Sequence, residues 1–127
     1  MGKIIITKDM TKCAYEVSKQ VLMGKISRSD AKFKINKECG MKSGSANDYV
    51  TVFLAMINGK IYKRTINAYS TEYYFDNIHK DFGVEYLLKA ISATELHTAY
   101  YATQRKGNLR GIEEITKEYK RTVSAYR

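Results

Sequence analysis

Proline is absent from this 127-residue chain, and cysteine occurs only twice. The lack of proline removes the strongest helix breaker and argues against loop-rich and all-β folds. No apolar run approaches the roughly 18 residues that a membrane-spanning helix needs. The segment Ile4-Ile5-Ile6 is too short for the core of a signal peptide. We therefore expect an all-α, cytoplasmic protein that does not contact a membrane.

The residues that usually mark an enzyme are also scarce. His79 and His97 fall on different predicted helices and have no metal-ligand spacing to each other or to Cys13 and Cys39. The segment 40–44 carries a Lys-Ser pair but lacks the spacing of a phosphate-binding loop. We expect no catalytic residue, no metal and no cofactor. Both cysteines lie on apolar faces of predicted helices. A disulfide between them is an open alternative, but we expect reduced thiols.

Charge is abundant and unevenly distributed. The 22 Lys/Arg outnumber the 13 Asp/Glu, giving a net charge of +9. Residues 1–64 contain 13 basic and 5 acidic side chains, whereas residues 65–127 contain 9 and 8. Such a surplus favours polyanions, chiefly nucleic acid, with an anionic membrane surface as the competitor. Its concentration in the first half predicts that the partner binds there.

Apolar residues recur at helical spacing along the whole chain, whose length suits one domain spanning residues 1–127. The pattern predicts about six helices, near residues 9–23, 28–39, 46–58, 71–82, 84–105 and 109–125. Expected caps are Asp9, Ser27, Ser45, Ser70 and Asn108. Residues 3–7 are predicted as a short strand or an extended arm. Glycines that follow the helices are expected in a left-handed conformation: Gly24, Gly40, Gly59, Gly83 and Gly107. Helices five and six are expected to pack as an antiparallel pair, with helix five burying Val84, Leu87, Leu88, Ile91 and Leu96.

The segment 27–58 has the pattern of a helix-turn-helix unit, with Met41 filling the angle between the helices. The second helix of such a unit enters the major groove of DNA. Asn47 and Thr51 are then the candidates to contact base edges. The candidates to hold phosphates are Lys32, Lys34, Lys37, Lys42, Ser43, Ser45, Lys60, Lys63 and Arg64. The alternative is ordinary: two helices joined by glycine, with solvated lysines and Asn47 as a helix-start residue.

Eleven tyrosines form the second unusual feature of the composition. Tyrosine stacks on unpaired bases, but it is also a common core residue with its hydroxyl at the rim. Tyr74, Tyr49 and Tyr119 fit the core. Tyr62 and Tyr69 fall outside the firmly predicted helices, and we expect them to contact a ligand.

Several segments together resemble a known family. They are Ile26-Ser27-Arg28-Ser29-Asp30-Ala31, Gly40-Met41, Gly44-Ser45-Ala46-Asn47-Asp48-Tyr49-Val50, Phe53-Leu54-Ala55-Met56, Tyr62-Lys63-Arg64-Thr65-Ile66-Asn67 and Tyr73-Tyr74. Over residues 10–125 the chain resembles the helical region found ahead of the catalytic domain in some bacterial HNH-type restriction endonucleases. The resemblance implies DNA recognition without catalysis, because the histidine-rich metal element of an HNH site is missing. If that role includes sensing modified bases, the implied aromatic cage is Tyr62, Tyr69 and Tyr73.

The expected function is therefore a DNA-binding module of a restriction or other prokaryotic defence system, with RNA as an alternative ligand. A fused nuclease domain or a protein partner would supply any chemistry. The competing hypothesis is a protein-interaction domain, such as a phage-borne inhibitor, because a small size and many tyrosines suit protein interfaces.

Overall fold

The computed structural model describes residues 5–105 and 107–125, which form six α-helices and no strand. The predicted all-α class with about six helices is thus confirmed. The helices are α1 (Lys8–Leu22), α2 (Arg28–Cys39), α3 (Ser43–Asn58), α4 (Ala68–Phe82), α5 (Val84–Thr103) and α6 (Arg110–Ala125). Residues 3 and 4 of the predicted strand or arm lie outside the described residues, and residues 5–7 are not in a strand. The chain divides into two compact units, residues 1–54 and 55–127, and the boundary falls inside α3.

Helix starts show which capping predictions were right. Ser27 caps α2 as expected, because its hydroxyl accepts a hydrogen bond from the backbone N–H of Asp30 at 3.0 Å. The cap of α1 is Thr7, not Asp9, since the Thr7 hydroxyl accepts from the N–H of Met10 at 3.1 Å. All five glycines predicted to follow helices have positive φ angles.

Two helices begin three residues earlier than predicted. The side-chain oxygen of Asn67 caps α4 by accepting from the N–H of Ser70 at 2.7 Å, so Ser70 is a buried residue of the first turn. In α3 the N–H of Ala46 bonds to the carbonyl of Lys42 at 2.8 Å, which places Ser45 inside the helix. In α4 a polar residue upstream of the predicted cap takes over, because several residue types satisfy the same N–H groups at a helix start.

The first unit has a core formed by its three helices. Ala14, Tyr15, Ala31 and Ile35 have no exposed surface, and α1 packs on α2. The ring of Tyr15 meets Phe53 of α3 edge to face, with centroids 5.3 Å apart. Each large apolar side chain buried in this way contributes roughly 1.5–3 kcal/mol.

The two cysteines are joined in a disulfide, so the expectation of reduced thiols is wrong. Cys13 of α1 bonds to Cys39, the last residue of α2, with the Cα atoms 5.7 Å apart. The sequence placed both cysteines on apolar faces, and those faces turn out to meet. That brings the Cα atoms into the range of about 4.4–6.8 Å that a disulfide requires.

The second unit packs α4, α5 and α6 on one another. As predicted, α5 contacts α6, but its buried stripe differs from the expected one. Val84 and Leu96 are 40% and 46% exposed, because Val84 begins the helix and Leu96 lies beside the true stripe. The buried positions are largely small or polar: Leu87, Ala90, Ile91, Ala93, Thr94, His97 and Thr98.

Candidate nucleic-acid interface

The turn between α2 and α3 is tightly fixed. Gly40 ends α2 in the left-handed conformation, at φ +75° and ψ +16°, which residues with a Cβ adopt only under strain. Met41 is fully buried beneath the turn, as the sequence predicted. The side-chain amide of Asn36 donates a hydrogen bond to the Met41 carbonyl at 2.8 Å. A short turn with a left-handed glycine, a buried methionine and a side-chain hydrogen bond is consistent with a helix-turn-helix unit.

The first three turns of α3 expose one narrow polar stripe. Ala46, Tyr49, Val50 and Phe53 are buried. Ser43, Gly44 and Asn47 are exposed, and Asp48 and Thr51 are half-buried. Asn47 and Thr51 are four residues apart and therefore lie on the same face of the helix. The two predicted base-contacting side chains are thus brought together and face outward.

Arg28 also belongs to this surface, although the sequence pattern does not predict it. One terminal guanidinium nitrogen of Arg28, the first residue of α2, donates to the Thr51 hydroxyl at 2.5 Å. The two residues are 23 positions apart, so nothing local in the sequence links them. The contact adds a guanidinium with further N–H donors to the stripe that already holds an amide and a hydroxyl.

The lysines of this part of the first unit lie on α2 and just before α3. Lys32, Lys37 and Lys42 are exposed, and so is Ser43 at the start of α3. Lys34 is half-buried, and its ammonium donates to the side chain of Gln20 at 3.3 Å. Lys34 is therefore less available to a phosphate than the sequence suggested.

Ser45 is also half-buried, inside the first turn of α3 rather than at its cap. The backbone N–H groups nearest the helix start belong to residues 43–45, next to Lys42. Such first-turn N–H groups have no carbonyl partner within the helix. An anion at this end would meet them together with the positive end of the helix dipole.

The remaining basic candidates follow α3 and belong to the second unit. Lys60, Lys63 and Arg64 are all exposed. The ammonium of Lys63 lies 5.3 Å from the ring centroid of Tyr100 on α5, within cation–π range. These three side chains form a short basic segment within that unit.

Tyr62 was predicted to contact a ligand, and this is wrong. It is 3% exposed, and its ring stacks on His97 with centroids 4.4 Å apart. Its hydroxyl lies 2.9 Å from the Thr94 hydroxyl. Because Thr94 already donates to the Ala90 carbonyl, Tyr62 is the donor in this pair. Burial raises the pKa of Tyr62 far above its usual value. The segment around Tyr62 lacks helical periodicity, but it is packed against α5 rather than exposed.

His97 is fully buried. Its Nδ1 lies 2.7 Å from the Tyr62 carbonyl, which can only accept, so Nδ1 carries the proton. Nε2 then accepts from the Thr65 hydroxyl at 3.0 Å. Burial lowers the pKa of His97, which is therefore neutral at pH 7. Both ring nitrogens of His97 therefore form hydrogen bonds, which hold Tyr62 and Thr65 against α5.

Tyr69 was expected outside the helices but lies in the first turn of α4. It is 39% exposed, and its ring centroid is 6.2 Å from that of Tyr73. Because Tyr62 is buried, it cannot line the aromatic cage of residues 62, 69 and 73 that the resemblance implies. Tyr69 keeps an exposed ring that a ligand can reach.

A cleft of about 380 Å³ lies in the second unit, lined by Glu72, Asp76, His79, Glu118 and Tyr119 among others. The Tyr119 hydroxyl donates to the Asp76 carboxylate. Burial, this hydrogen bond and the nearby carboxylates raise the pKa of Tyr119. Three carboxylates repel phosphate, so this cleft does not fit a nucleic-acid backbone.

Within residues 5–105 and 107–125, no group of three or more His, Cys, Asp or Glu side chains is arranged to hold a metal ion. Over the same residues, no helix combines the length and apolarity needed to cross a membrane. Comparison of the chain with family models, curated proteins and solved structures finds no match.

Proposed function

We propose that this chain is a DNA-binding module whose α2–α3 surface contacts duplex DNA, serving recognition or targeting in a restriction or other prokaryotic defence system. The observation that supports it best is the polar stripe of α3. Asn47 and Thr51 face outward there, Arg28 is hydrogen-bonded onto Thr51, and exposed lysines lie on α2 and just before α3. The defence role rests on the family resemblance alone.

In this proposal α3 enters the major groove with its N-terminal half. The Asn47 amide pairs with adenine, and Arg28 pairs with guanine through its remaining N–H donors. Lys42 and the first-turn N–H groups of residues 43–45 meet one phosphate at the helix start. Lys32 and Lys37 meet others along the backbone, which adds affinity without sequence information.

The module binds and does not catalyse. Any strand cleavage would come from a fused or associated nuclease domain. We place it in the cytoplasm, where its DNA partner would be found. The disulfide argues against this location, because reducing compartments keep thiols unpaired. Alkylation of the cysteines in intact cells before lysis would show which state prevails.

Salt dependence of binding tests the proposal. Labelled duplex is titrated at two salt concentrations, and affinity should fall with roughly the 0.9 power of salt per phosphate contact. Lys32→Ala with Lys37→Ala should flatten that slope by about one unit per lost contact. Lys80→Ala with Lys117→Ala is the charge-matched control, because both lysines are exposed in the second unit. An absence of binding at low salt, or equal effects of both pairs, would refute the α2–α3 assignment. Structured RNA as a competitor tests the alternative ligand.

A protein-interaction domain, such as a phage-borne inhibitor, is the second candidate. It is favoured by Leu96 and Val84, two apolar side chains of α5 that are 46% and 40% exposed. In that case the protein would ignore DNA and co-purify with one protein after nuclease treatment. Leu96→Ser would then abolish the co-purification and leave the fold unchanged.

A further inference from the structure

Phe33 projects from α2 into solvent. Its side chain is 65% exposed, whereas Ala31 and Ile35, two residues away on either side, are fully buried. At about 100° per residue, two steps along a helix reach the opposite side. Phe33 therefore lies at the centre of the outward face of α2. Since the core is built from the other side of the helix, packing of the first unit does not explain a phenylalanine here.

Two exposed neighbours of Phe33 are cationic, and Asp30, one turn earlier on the helix, is acidic. Lys32 and Lys37 are exposed on the same helix, and the Lys37 ammonium lies 5.8 Å from the centroid of the Phe33 ring. An exposed phenylalanine alone is unremarkable. One ring flanked by two exposed lysines, however, combines an apolar flat surface with two positive charges. An aromatic ligand that carries phosphates would fit both features.

We infer that the outward face of α2 binds an unpaired nucleotide, with Phe33 stacked on the base and Lys32 and Lys37 against the adjoining phosphates. This inference rests on the proposed function and adds that the bound nucleic acid contains an unpaired base. Bases inside a perfect duplex present no free flat face to a side chain, so the ligand contains at least one unpaired or extruded base. Stacking of one base on one aromatic side chain changes affinity by roughly 5- to 150-fold.

The same face fits a membrane less well. A helix that lies on a bilayer buries a wide apolar face. The exposed positions of α2 around Phe33 are polar or charged instead, namely Ser29, Asp30, Lys32, Asn36, Lys37 and Glu38. One ring among polar side chains can stack on a base but cannot anchor a helix in lipid.

The absence of tryptophan from the chain gives a direct test. Phe33→Trp introduces a single indole at the proposed contact, and Leu96→Trp introduces one at an exposed apolar position of α5 as the control. Each variant is titrated with a perfect duplex and with the same duplex containing a short unpaired bubble. Emission from the Phe33→Trp variant should be quenched by the bubble far more than by the perfect duplex, and emission from the Leu96→Trp variant should not change. Phe33→Ala should lose the preference for the bubble by roughly 5-fold or more, and Phe33→Trp should retain it.

The outcomes separate this inference from the proposed function. Salt-dependent binding of the perfect duplex, with no bubble preference and no quenching of the Phe33→Trp variant, overturns the inference and leaves the proposed function standing. Bubble-specific quenching without binding of the perfect duplex overturns the proposed duplex contact and supports the inference. An emission shift of the Phe33→Trp variant on phosphatidylserine vesicles, without quenching by nucleic acid, overturns the inference in favour of a membrane. Circular dichroism of each variant confirms folding, which a substitution at an exposed position should preserve.

Discussion

The two units carry similar charge but place their aromatic and polar side chains differently. Residues 1–54 have ten basic and five acidic side chains, and residues 55–127 have twelve and eight. In the first unit, Phe33 and the side chains of Arg28 and Asn47 face outward. In the second unit, Tyr62 and His97 are buried, and Nδ1 of His97 donates a hydrogen bond to the backbone carbonyl of Tyr62.

This contrast shows why total charge and composition locate a binding surface poorly. The +8 against +1 asymmetry between residues 1–64 and 65–127 depends on where the chain is divided. Divided at the structural boundary, the two parts differ by only one charge, +5 against +4. What distinguishes the first unit is the arrangement of donors and cations on α2 and α3. The second unit uses the same kinds of side chain to hold itself together.

The largest expected effect concerns the buried tyrosine of the second unit. Tyr62→Ala should lower the free energy of unfolding by about 3–5 kcal/mol, as for other buried aromatic residues, because it removes a ring that is 3% exposed. Urea unfolding measures this. The preference of the folded fraction for a specific over a random duplex should stay unchanged, because Tyr62 contacts no base. A variant of normal stability that loses this preference would make Tyr62 a ligand residue and contradict the contrast between the two units.

The disulfide should stabilise only the first unit. Cys13→Ser with Cys39→Ser opens a link between positions 26 residues apart, which corresponds to about 3.5 kcal/mol of unfolding free energy. Amide hydrogen exchange measures each unit separately, and protection should fall in α1 and α2 but not in α5. Treating the unmodified protein with a dithiol reductant is the control and should reproduce the effect. Equal stability of the oxidised and reduced protein would contradict it.

Asn47 should determine sequence preference. Asn47→Ala should cost about 1–3 kcal/mol on a preferred duplex and little on random DNA, because the amide contacts a base edge. Binding is measured on one preferred and one random duplex at matched salt. Equal weakening on both would make Asn47 a phosphate ligand or a helix-start residue. Arg28→Ala should behave like Asn47→Ala if both contact bases.

The basic segment after α3 should affect affinity alone. Lys63→Ala with Arg64→Ala should weaken specific and random duplexes alike and flatten the salt slope by about one unit per lost contact. The measurement is the same pair of duplexes at several salt concentrations. Normal binding by this variant would confine the DNA contact to the first unit and sharpen the comparison.

The smallest expected effect is a pH dependence from His97. Its pKa in the folded protein is lowered from 6.5 by burial. The unfolded chain therefore takes up a proton near pH 6.5 that the folded chain does not, and stability falls as the pH drops through this region. Urea unfolding between pH 7.5 and about pH 5 should show the loss, and His97→Gln should reduce it. Parallel profiles for the two proteins would contradict the buried, neutral histidine.

Sequence reasoning predicted the regular part of the fold well. The bounds of α2, its Ser27 cap and the buried Met41 were right, because each depends on nearby residues. The contact between Arg28 and Thr51 could not be predicted, since it joins residues that only the fold brings together. The burial of Tyr62 could not be predicted from periodicity, because its segment lacks helical spacing and nevertheless packs against α5.

The position of the disulfide has a consequence for the order of events during synthesis. Both cysteines precede α3, so they have emerged from the ribosome before any residue of the second unit. Domains generally fold from the N-terminus as the chain appears. In an oxidising compartment, α1 and α2 can therefore be joined covalently before the second unit has emerged. The first unit would then acquire its cross-link independently of the second.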